Sequence, residues 1–155
     1  MSARGNESKA APADRVLEIT RVYSAPRRLV YEAITEREHI ARWMAPKGFT
    51  MPVCEGDLRV GGKWRTEGKH ADGKPFAVWG EYTRVDPPKA LGFTWNNTWD
   101  RDGPPTHVLI ELTPTSSGTH LSLTHSGFAS ASSRDDHNKG WNRVLAWLTG
   151  YLRAR

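Results

Sequence analysis

The chain has 155 residues, which suits one domain, and its content of 37% apolar and 25% charged residues is typical of a soluble protein. The net charge of +5 would fit a nucleic-acid-binding protein, but the basic residues are scattered without a basic stripe, so we do not expect nucleic acid as a partner. The single cysteine excludes an internal disulfide, and no apolar run approaches the roughly 18 residues that span a bilayer, so we expect a cytoplasmic protein without membrane insertion.

The predicted elements begin after a short tail. Residues 1–13 are small, polar and proline-bearing, so we expect them to be disordered, and we expect residues 14–155 to form a single domain. The segment 15–24 is rich in β-branched residues and partly alternates, which predicts a strand. One face of this strand is expected to hold Leu17, Ile19, Arg21 and Tyr23.

Two short helices are predicted next. Pro26 suits the first turn of a helix that is capped by Ser24 or Ala25. Thr35 is expected to open the second helix, with Glu38 three residues later as its capping-box partner.

Strand patterns then continue to residue 126. The predicted strands cover 50–58, 59–68, 75–86, 90–97, 106–114 and 118–126. Tight turns separate them, which implies an antiparallel meander. Adjacent glycines, Gly61 and Gly62, lie inside one predicted strand, where Trp64 shares a face with Leu58 and Val60. Because glycine weakens a strand, we interpret the pair as a kink that bends the sheet.

The last element is predicted as a helix over 133–153, capped by Ser132 or Ser133. Its apolar residues fall on one stripe, which consists of Trp141, Val144, Leu145, Leu148 and Leu152. Gly140 and Gly150 lower its helix propensity, and we interpret them as positions of close approach to another element.

These elements predict an α+β fold with seven antiparallel strands, two short helices between strands 1 and 2, and a long C-terminal helix. The sheet has one face to bury and the helix has one stripe to bury. The economical solution is a helix-grip, in which a curved sheet wraps around the helix.

Five segments, in chain order, resemble the signature blocks of a known family. They are TEREHIARWMAPKGFT, EGDLRVGGKWR, GEYTRVDPPKALGFTW, GTHLSLTHSGF and GWNRVLAWLTGYL. Over about residues 14–153 the chain resembles the activator of heat shock protein 90 ATPase homologue family, within the START-like, birch-pollen-allergen-like (SRPBCC) helix-grip superfamily. The resemblance implies an internal cavity between sheet and helix. Members of the superfamily bind lipids, sterols, polyketides or plant hormones there, and a minority are cyclases or hydrolases.

We therefore predict a small soluble binding protein, monomeric or homodimeric, that holds an apolar or aromatic small molecule in a cavity of roughly 300–1,000 Å³. Tryptophans on a concave scaffold would form the cavity wall, and their indole N–H groups would offer polar anchors. The candidate ligand-binding residues are Trp43, Trp64, Trp79, Phe93, Trp95, His125, Phe128, Trp141 and Leu145.

Two alternatives remain open. The family name suggests a co-chaperone-like protein that stimulates a heat shock protein ATPase. A cyclase or hydrolase on an aromatic or polyketide substrate would need convergent polar groups, for which His125 is the one inward candidate. His125 also fits a core histidine that bonds to Ser126 or to a backbone carbonyl. No catalytic residue, metal site or cofactor is predicted, since the histidines and Cys54 show no metal-ligand spacing.

Overall fold

The computed structural model describes residues 13–44, 53–69, 72–100 and 104–154. A 3-10 turn at Ala13–Arg15 precedes strand β1 (Val16–Tyr23) and the helices α1 (Arg27–Thr35) and α2 (Arg37–Trp43). The remaining strands are β2 (Val53–Gly56), β3 (Lys63–Lys69), β4 (Pro75–Asp86), β5 (Ala90–Asn97), β6 (Thr106–Pro114) and β7 (Thr119–Ser126). The C-terminal helix is α3 (Ala131–Arg153). Residues 1–12 of the predicted tail and 50–52 of the predicted second strand lie outside the described residues.

One antiparallel sheet contains all seven strands in the order β1-β7-β6-β5-β4-β3-β2. Strands β2 to β7 form a meander, since each pairs with its neighbour in sequence, and β1 joins the far edge beside β7 with Val16 opposite Ser126. The long helix α3 packs across the sheet and contacts β1. The predicted α+β class, the seven-stranded curved sheet and the positions of the three helices are therefore confirmed.

The core lies between the concave face of the sheet and α3. The predicted alternation is confirmed in β1, β6 and β7, whose buried positions include Leu17, Ile19, Tyr23, Val108, Ile110, Leu112, Leu121 and Leu123. The predicted stripe of α3 is buried at Trp141, Leu145, Leu148 and Leu152 and half-buried at Val144. The two periodicities, two residues in strands and 3.6 in the helix, thus place both apolar surfaces against each other.

The connection between β2 and β3 differs from the prediction. Gly61 and Gly62 belong to the turn between the strands instead of kinking a strand, and Leu58 and Val60 are exposed instead of lying beside Trp64. Gly61 has a φ of +85°, a left-handed conformation that glycine adopts without strain. The turn covers residues 57–62 between Gly56 and Lys63, so the period-two pattern does not continue through it.

The glycine turn docks on β4. The Gly61 N–H donates to the Tyr82 carbonyl oxygen at 2.9 Å, and the Tyr82 N–H donates to the Gly62 carbonyl oxygen at 2.8 Å. The pairing of β4 with β5 shifts by one residue between Tyr82 and Arg84. Since such a bulge bends a strand and increases its twist, we assign part of the curvature of the sheet to this point of β4.

The helix ends also correct the predicted caps. The N-cap of α1 is Pro26, and Thr35 is the last residue of α1, where its hydroxyl donates to the Tyr31 carbonyl oxygen at 2.7 Å. Helix α2 follows from Glu36, which makes no side-chain cap. Thr35 therefore does not open a capping box, because its hydroxyl bonds back to the preceding turn.

Helix α3 starts two residues earlier than predicted. Ser130 is its N-cap, and the Ser133 N–H donates to the Ser130 hydroxyl at 3.0 Å. The serines after it all suit a cap, and only the backbone angles select Ser130. The predicted close approach at Gly140 and Gly150 is wrong, because a Cβ atom at either would have no other atom within 4 Å.

Candidate functional site

An apolar cavity lies between the concave face of the sheet, α2 and α3. Its walls are Ile34, Ile40, Trp43, Met44, Trp64, Thr66, Val78, Tyr82, Leu91, Phe93, Trp95, Ile110, Leu121, Trp141 and Leu145. The cavity has a volume of about 70 Å³, and with its mouth the hollow contains about 650 Å³ of space between atoms. Since about 10–15 Å³ of cavity volume holds one water molecule, the enclosed interior has room for about five waters, and a larger guest would extend into the mouth.

Aromatic side chains fill part of the hollow, so the volume of the cavity is smaller than predicted. Trp64 packs against Phe93 with ring centroids 5.4 Å apart at an interplanar angle of 80°, and Trp95 lies 5.4 Å from Trp141. The rings of Trp64 and Trp95 connect the two pairs, since their centroids are 5.9 Å apart. These separations are typical of attractive aromatic pairs, so the rings that line the cavity also occupy much of it.

Helices α2 and α3 complete the wall. Trp43, on α2, is buried and its indole N–H donates to the Ala33 carbonyl oxygen at 2.8 Å. This bond fixes the ring at the junction of α1 and α2, so that its apolar part lines the cavity. Leu145 lies on the stripe of α3, and it is 2% exposed. The Tyr23 hydroxyl donates to the Leu145 carbonyl oxygen at 3.2 Å and ties α3 to β1.

The candidate residues fall into two groups. Those that line the cavity are Trp43, Trp64, Phe93, Trp95, Trp141 and Leu145. The other three, Trp79, His125 and Phe128, do not. Trp79 lies on the opposite face of the sheet, where the Arg65 guanidinium sits 5.2 Å from its ring centroid. Its neighbour Val78 lines the cavity, and successive strand residues point to opposite faces, so Trp79 stays outside the site.

Several lining residues were not among the candidates. On β4, Val78 and Tyr82 have the same parity and both reach the cavity. Strand alternation predicts that these two residues share a face. The prediction instead selected Trp79, which lies between them and points to the other face. Ile34 and Ile40 lie on the short helices and Met44 directly follows α2, and their contribution depends on how those helices pack against the sheet.

His125 is a fully buried member of a closed hydrogen-bond network. The Trp141 indole N–H donates to His125 Nδ1 at 3.0 Å, so the ring proton is on Nε2, which donates to the Thr106 hydroxyl at 2.7 Å. That hydroxyl donates onward to the Trp95 carbonyl oxygen at 3.3 Å. Both ring nitrogens are engaged, so His125 orients Trp141 and has no nitrogen left for a ligand.

His137 forms the second half of this buried region. Its Nδ1–H donates to the Ser133 carbonyl oxygen at 2.8 Å, and its Nε2 accepts from the Trp95 indole and from the Asn97 amide, both at 3.2 Å. Phe128 covers both histidines, with its ring centroid 4.3 Å from that of His125 and 4.9 Å from that of His137. Phe128 thus separates the network from solvent.

The environment keeps His125 neutral. Burial, together with the nearby His137 and His107, lowers the pKa of His125 from 6.5 to about 2. Desolvation is the largest cause, because a buried imidazolium would lose its hydration without gaining a carboxylate. His125 therefore acts as a structural hydrogen-bonding group behind the cavity wall at neutral pH.

Two of the lining residues, Thr66 and Tyr82, are polar. Burial raises the pKa of the Tyr82 phenol, so it stays protonated at neutral pH. Cys54 lies opposite Thr66 in the pairing of β2 with β3, and burial likewise raises the pKa of its thiol. Within the described ranges, no group of three or more His, Cys, Asp or Glu side chains could hold a metal ion. None of the helices in these ranges is long and apolar enough to cross a membrane.

Comparison with known proteins gives the following relationships. A family model described as Activator of Hsp90 ATPase homolog 1-like protein matches residues 24–153. A crystal structure of a Chromobacterium violaceum protein has 31% identity, covers 88% of this chain and 96% of its own, and has a TM-score of 0.77. A Nitrosomonas europaea protein has 28% identity, coverage of 92% and 97%, and a TM-score of 0.77. A Silicibacter pomeroyi protein has 26% identity, coverage of 90% and 98%, and a TM-score of 0.78. No curated protein matches the chain significantly.

Proposed function

The chain belongs to the Activator of Hsp90 ATPase homolog 1-like protein family, and from the apolar hollow beside its C-terminal helix we propose that it is a small-molecule binding protein. Its ligand is an apolar or aromatic small molecule that extends from the enclosed space into the mouth of the hollow. The observation that carries this proposal is the cavity itself, which has almost entirely apolar walls and four aromatic rings in mutual contact.

The driving force would be the burial of ligand surface. A ligand that loses about 200 Å² of apolar surface would gain about 5 kcal/mol before the entropy of binding is subtracted. Ring contacts with Trp64, Phe93, Trp95 and Trp141 would add to this, since aromatic pairs contribute about 0.5–1.5 kcal/mol beyond area burial. These magnitudes fit micromolar to millimolar affinity.

The two alternatives have less support. The enzyme hypothesis needed His125 to reach the ligand, and His125 is instead fully bonded behind Trp141 and Trp95. The co-chaperone hypothesis rests on the family name alone. Binding without catalysis is therefore the function that we propose.

Filling the cavity tests the proposal. Val78 lines the cavity and is 2% exposed, so Val78→Phe places a ring in the space that a ligand would occupy. We expect Val78→Phe to weaken the binding of 2-naphthol at least tenfold by isothermal titration calorimetry, with Val78→Leu giving a smaller effect.

The matched control is Val22→Phe, the same change at a position on β1 that is 66% exposed, and it should bind like the native protein. Circular dichroism would check that each variant is folded. Equal binding by all three variants would contradict the proposal. So would a native protein that gives no saturable response to 2-naphthol or to a broad panel of lipids and aromatics.

A further inference from the structure

An arginine lies beside the cavity, and the role that we infer for it rests on the proposed function. Arg37, the first residue of α2, directs its guanidinium toward β2 and β4. Its Nη1 donates to the Thr35 carbonyl oxygen at 2.8 Å, and its Nη2 reaches the Tyr82 hydroxyl at 3.4 Å, which is a long hydrogen bond. Its Nε is buried and has no hydrogen-bond partner among the described residues. The guanidinium is thus only partly satisfied.

No carboxylate neutralises this guanidinium in the part of the chain that the structure describes. Six arginines form ion pairs there, each with an acidic residue within four positions in sequence, and none of these pairs includes Arg37: the six are Arg15, Arg28, Arg59, Arg65, Arg84 and Arg134. Arg37 is half-buried, as are Arg15, Arg65 and Arg134, whereas the other three paired arginines are exposed. A partly desolvated cation without a counter-ion is unfavourable, and proteins usually pair such groups or use them to bind an anion.

Gly56 provides the space for the guanidinium. A Cβ atom at this position of β2 would overlap Arg37 Nη2 and would lie 2.9 Å from the Cβ of Trp64. The guanidinium therefore occupies the space that a side chain at position 56 would fill. It lies next to Trp64, which lines the cavity. The indole N–H of Trp64 is also buried without a partner among the described residues. Trp64, which lines the cavity, and Arg37, which lies next to the Trp64 Cβ, thus each hold an unused donor.

The chemistry of these donors selects the complementary ligand group. Arginine and tryptophan side chains donate hydrogen bonds and cannot accept them, so the missing partner is an acceptor. A carboxylate matches a guanidinium in charge and in its planar, two-pronged geometry, and such bonds are among the strongest in proteins. Tyr82 is one of the lining residues, its hydroxyl is next to Arg37 Nη2, and burial raises the pKa of the phenol, so this hydroxyl keeps a proton to donate to the same group.

We propose that the ligand is an aromatic monocarboxylic acid, whose carboxylate binds Arg37 and the Tyr82 hydroxyl while its ring system occupies the tryptophan-lined cavity. The acid group lies at the end of the cavity beside β2 and β4, where Arg37 and Tyr82 meet. The ring system extends toward Trp95 and Trp141. This assignment gives the unpaired guanidinium a counter-ion and gives the apolar walls an apolar guest.

The test compares an acid with its neutral amide. The probes are 2-naphthoate and 2-naphthamide at pH 7.5, titrated into the native protein in a calorimeter. We expect the acid to bind at least tenfold more tightly than the amide. Arg37→Gln should abolish this preference and leave the affinity for the amide within about twofold, because the cavity is unchanged. Arg37→Lys, which keeps the charge but not the planar geometry, should retain part of the preference.

Arg42→Gln is the matched control, since Arg42 lies on the same helix and is exposed. It should keep the full preference for the acid. Equal affinity of the native protein for acid and amide would overturn the assignment of Arg37 and leave the proposed function standing. A similar loss for both probes in Arg37→Gln would also overturn it, because Arg37 would then only support the fold. If neither 2-naphthoate nor 2-naphthamide bound to the native protein, the proposed function itself would be wrong.

Discussion

Replacing Gly62 by alanine is expected to lower the free energy of unfolding by about 2–3 kcal/mol. A Cβ atom at Gly62 would overlap the carbonyl oxygen of Asp57, which belongs to the backbone of the same turn and cannot rotate away. The turn would have to move off β4 and would lose the bond between the Tyr82 N–H and the Gly62 carbonyl. For a chain of this length the melting temperature should fall by about 5–10 °C in a calorimetric scan.

Two further glycines provide controls for the same chemical change. Gly61→Ala should cost only about 1 kcal/mol, because its φ of +85° disfavours alanine but no atom lies within 4 Å of the new Cβ. Gly140→Ala should stabilise the protein by up to about 1 kcal/mol, since it lies within α3 and has free space around it. If Gly62→Ala were as stable as Gly61→Ala, the close approach to Asp57 would not limit this turn.

Acidification from pH 7 to pH 5 is expected to reduce the free energy of unfolding by about 2 kcal/mol through His125 alone. In the unfolded chain this imidazole takes up a proton near pH 6.5, whereas in the folded protein burial lowers its pKa to about 2. Below pH 6.5 the unfolded state therefore binds more protons than the folded state. Stability is then lost at about 1.4 kcal/mol per pH unit as the pH falls toward 2.

Urea unfolding at pH 7 and pH 5 would measure this effect, because most carboxylates remain ionised over that interval. His125→Gln can still accept from Trp141 and donate to Thr106, but it cannot titrate. We expect this variant to be less stable at pH 7 and to lose about 2 kcal/mol less than the native protein between the two pH values. His107→Gln, at an exposed position, should keep the native pH dependence. An unchanged pH dependence in His125→Gln would show that this buried imidazole does not control acid stability.

Most of the architecture follows from local patterns in the sequence. The alternation of Val108, Ile110 and Leu112 in β6 identified a strand with one buried face, and the spacing from Trp141 to Leu152 identified the buried stripe of α3. These patterns are reliable because each element must bury its own apolar side, whichever partner covers it. The element boundaries were less accurate, since several serines near the start of α3 suit an N-cap equally well.

The candidate site was harder to predict. Trp79 and Trp95 look alike in the sequence, but one lies on the outer face beside Arg65 and the other lines the cavity. Strand parity distinguishes them only after the strand boundaries and the bulge in β4 are known. Adjacent glycines such as Gly61 and Gly62 fit a strand kink and a turn equally well. Their hydrogen bonds with the backbone of Tyr82 identify the turn.

Periodicity and turn chemistry act over a few neighbouring residues, and they are enough to predict the α+β class, the order of the elements and the apolar faces of the strands and of α3. Three-dimensional packing sets the small volume of the cavity, the bonds that occupy both nitrogens of His125, and the position of Arg37 beside Tyr82 with no carboxylate partner among the described residues. These features depend on distances between residues 16 to 45 positions apart in the chain. Such distances are set by how a bent sheet packs against the helices, and no local pattern encodes them.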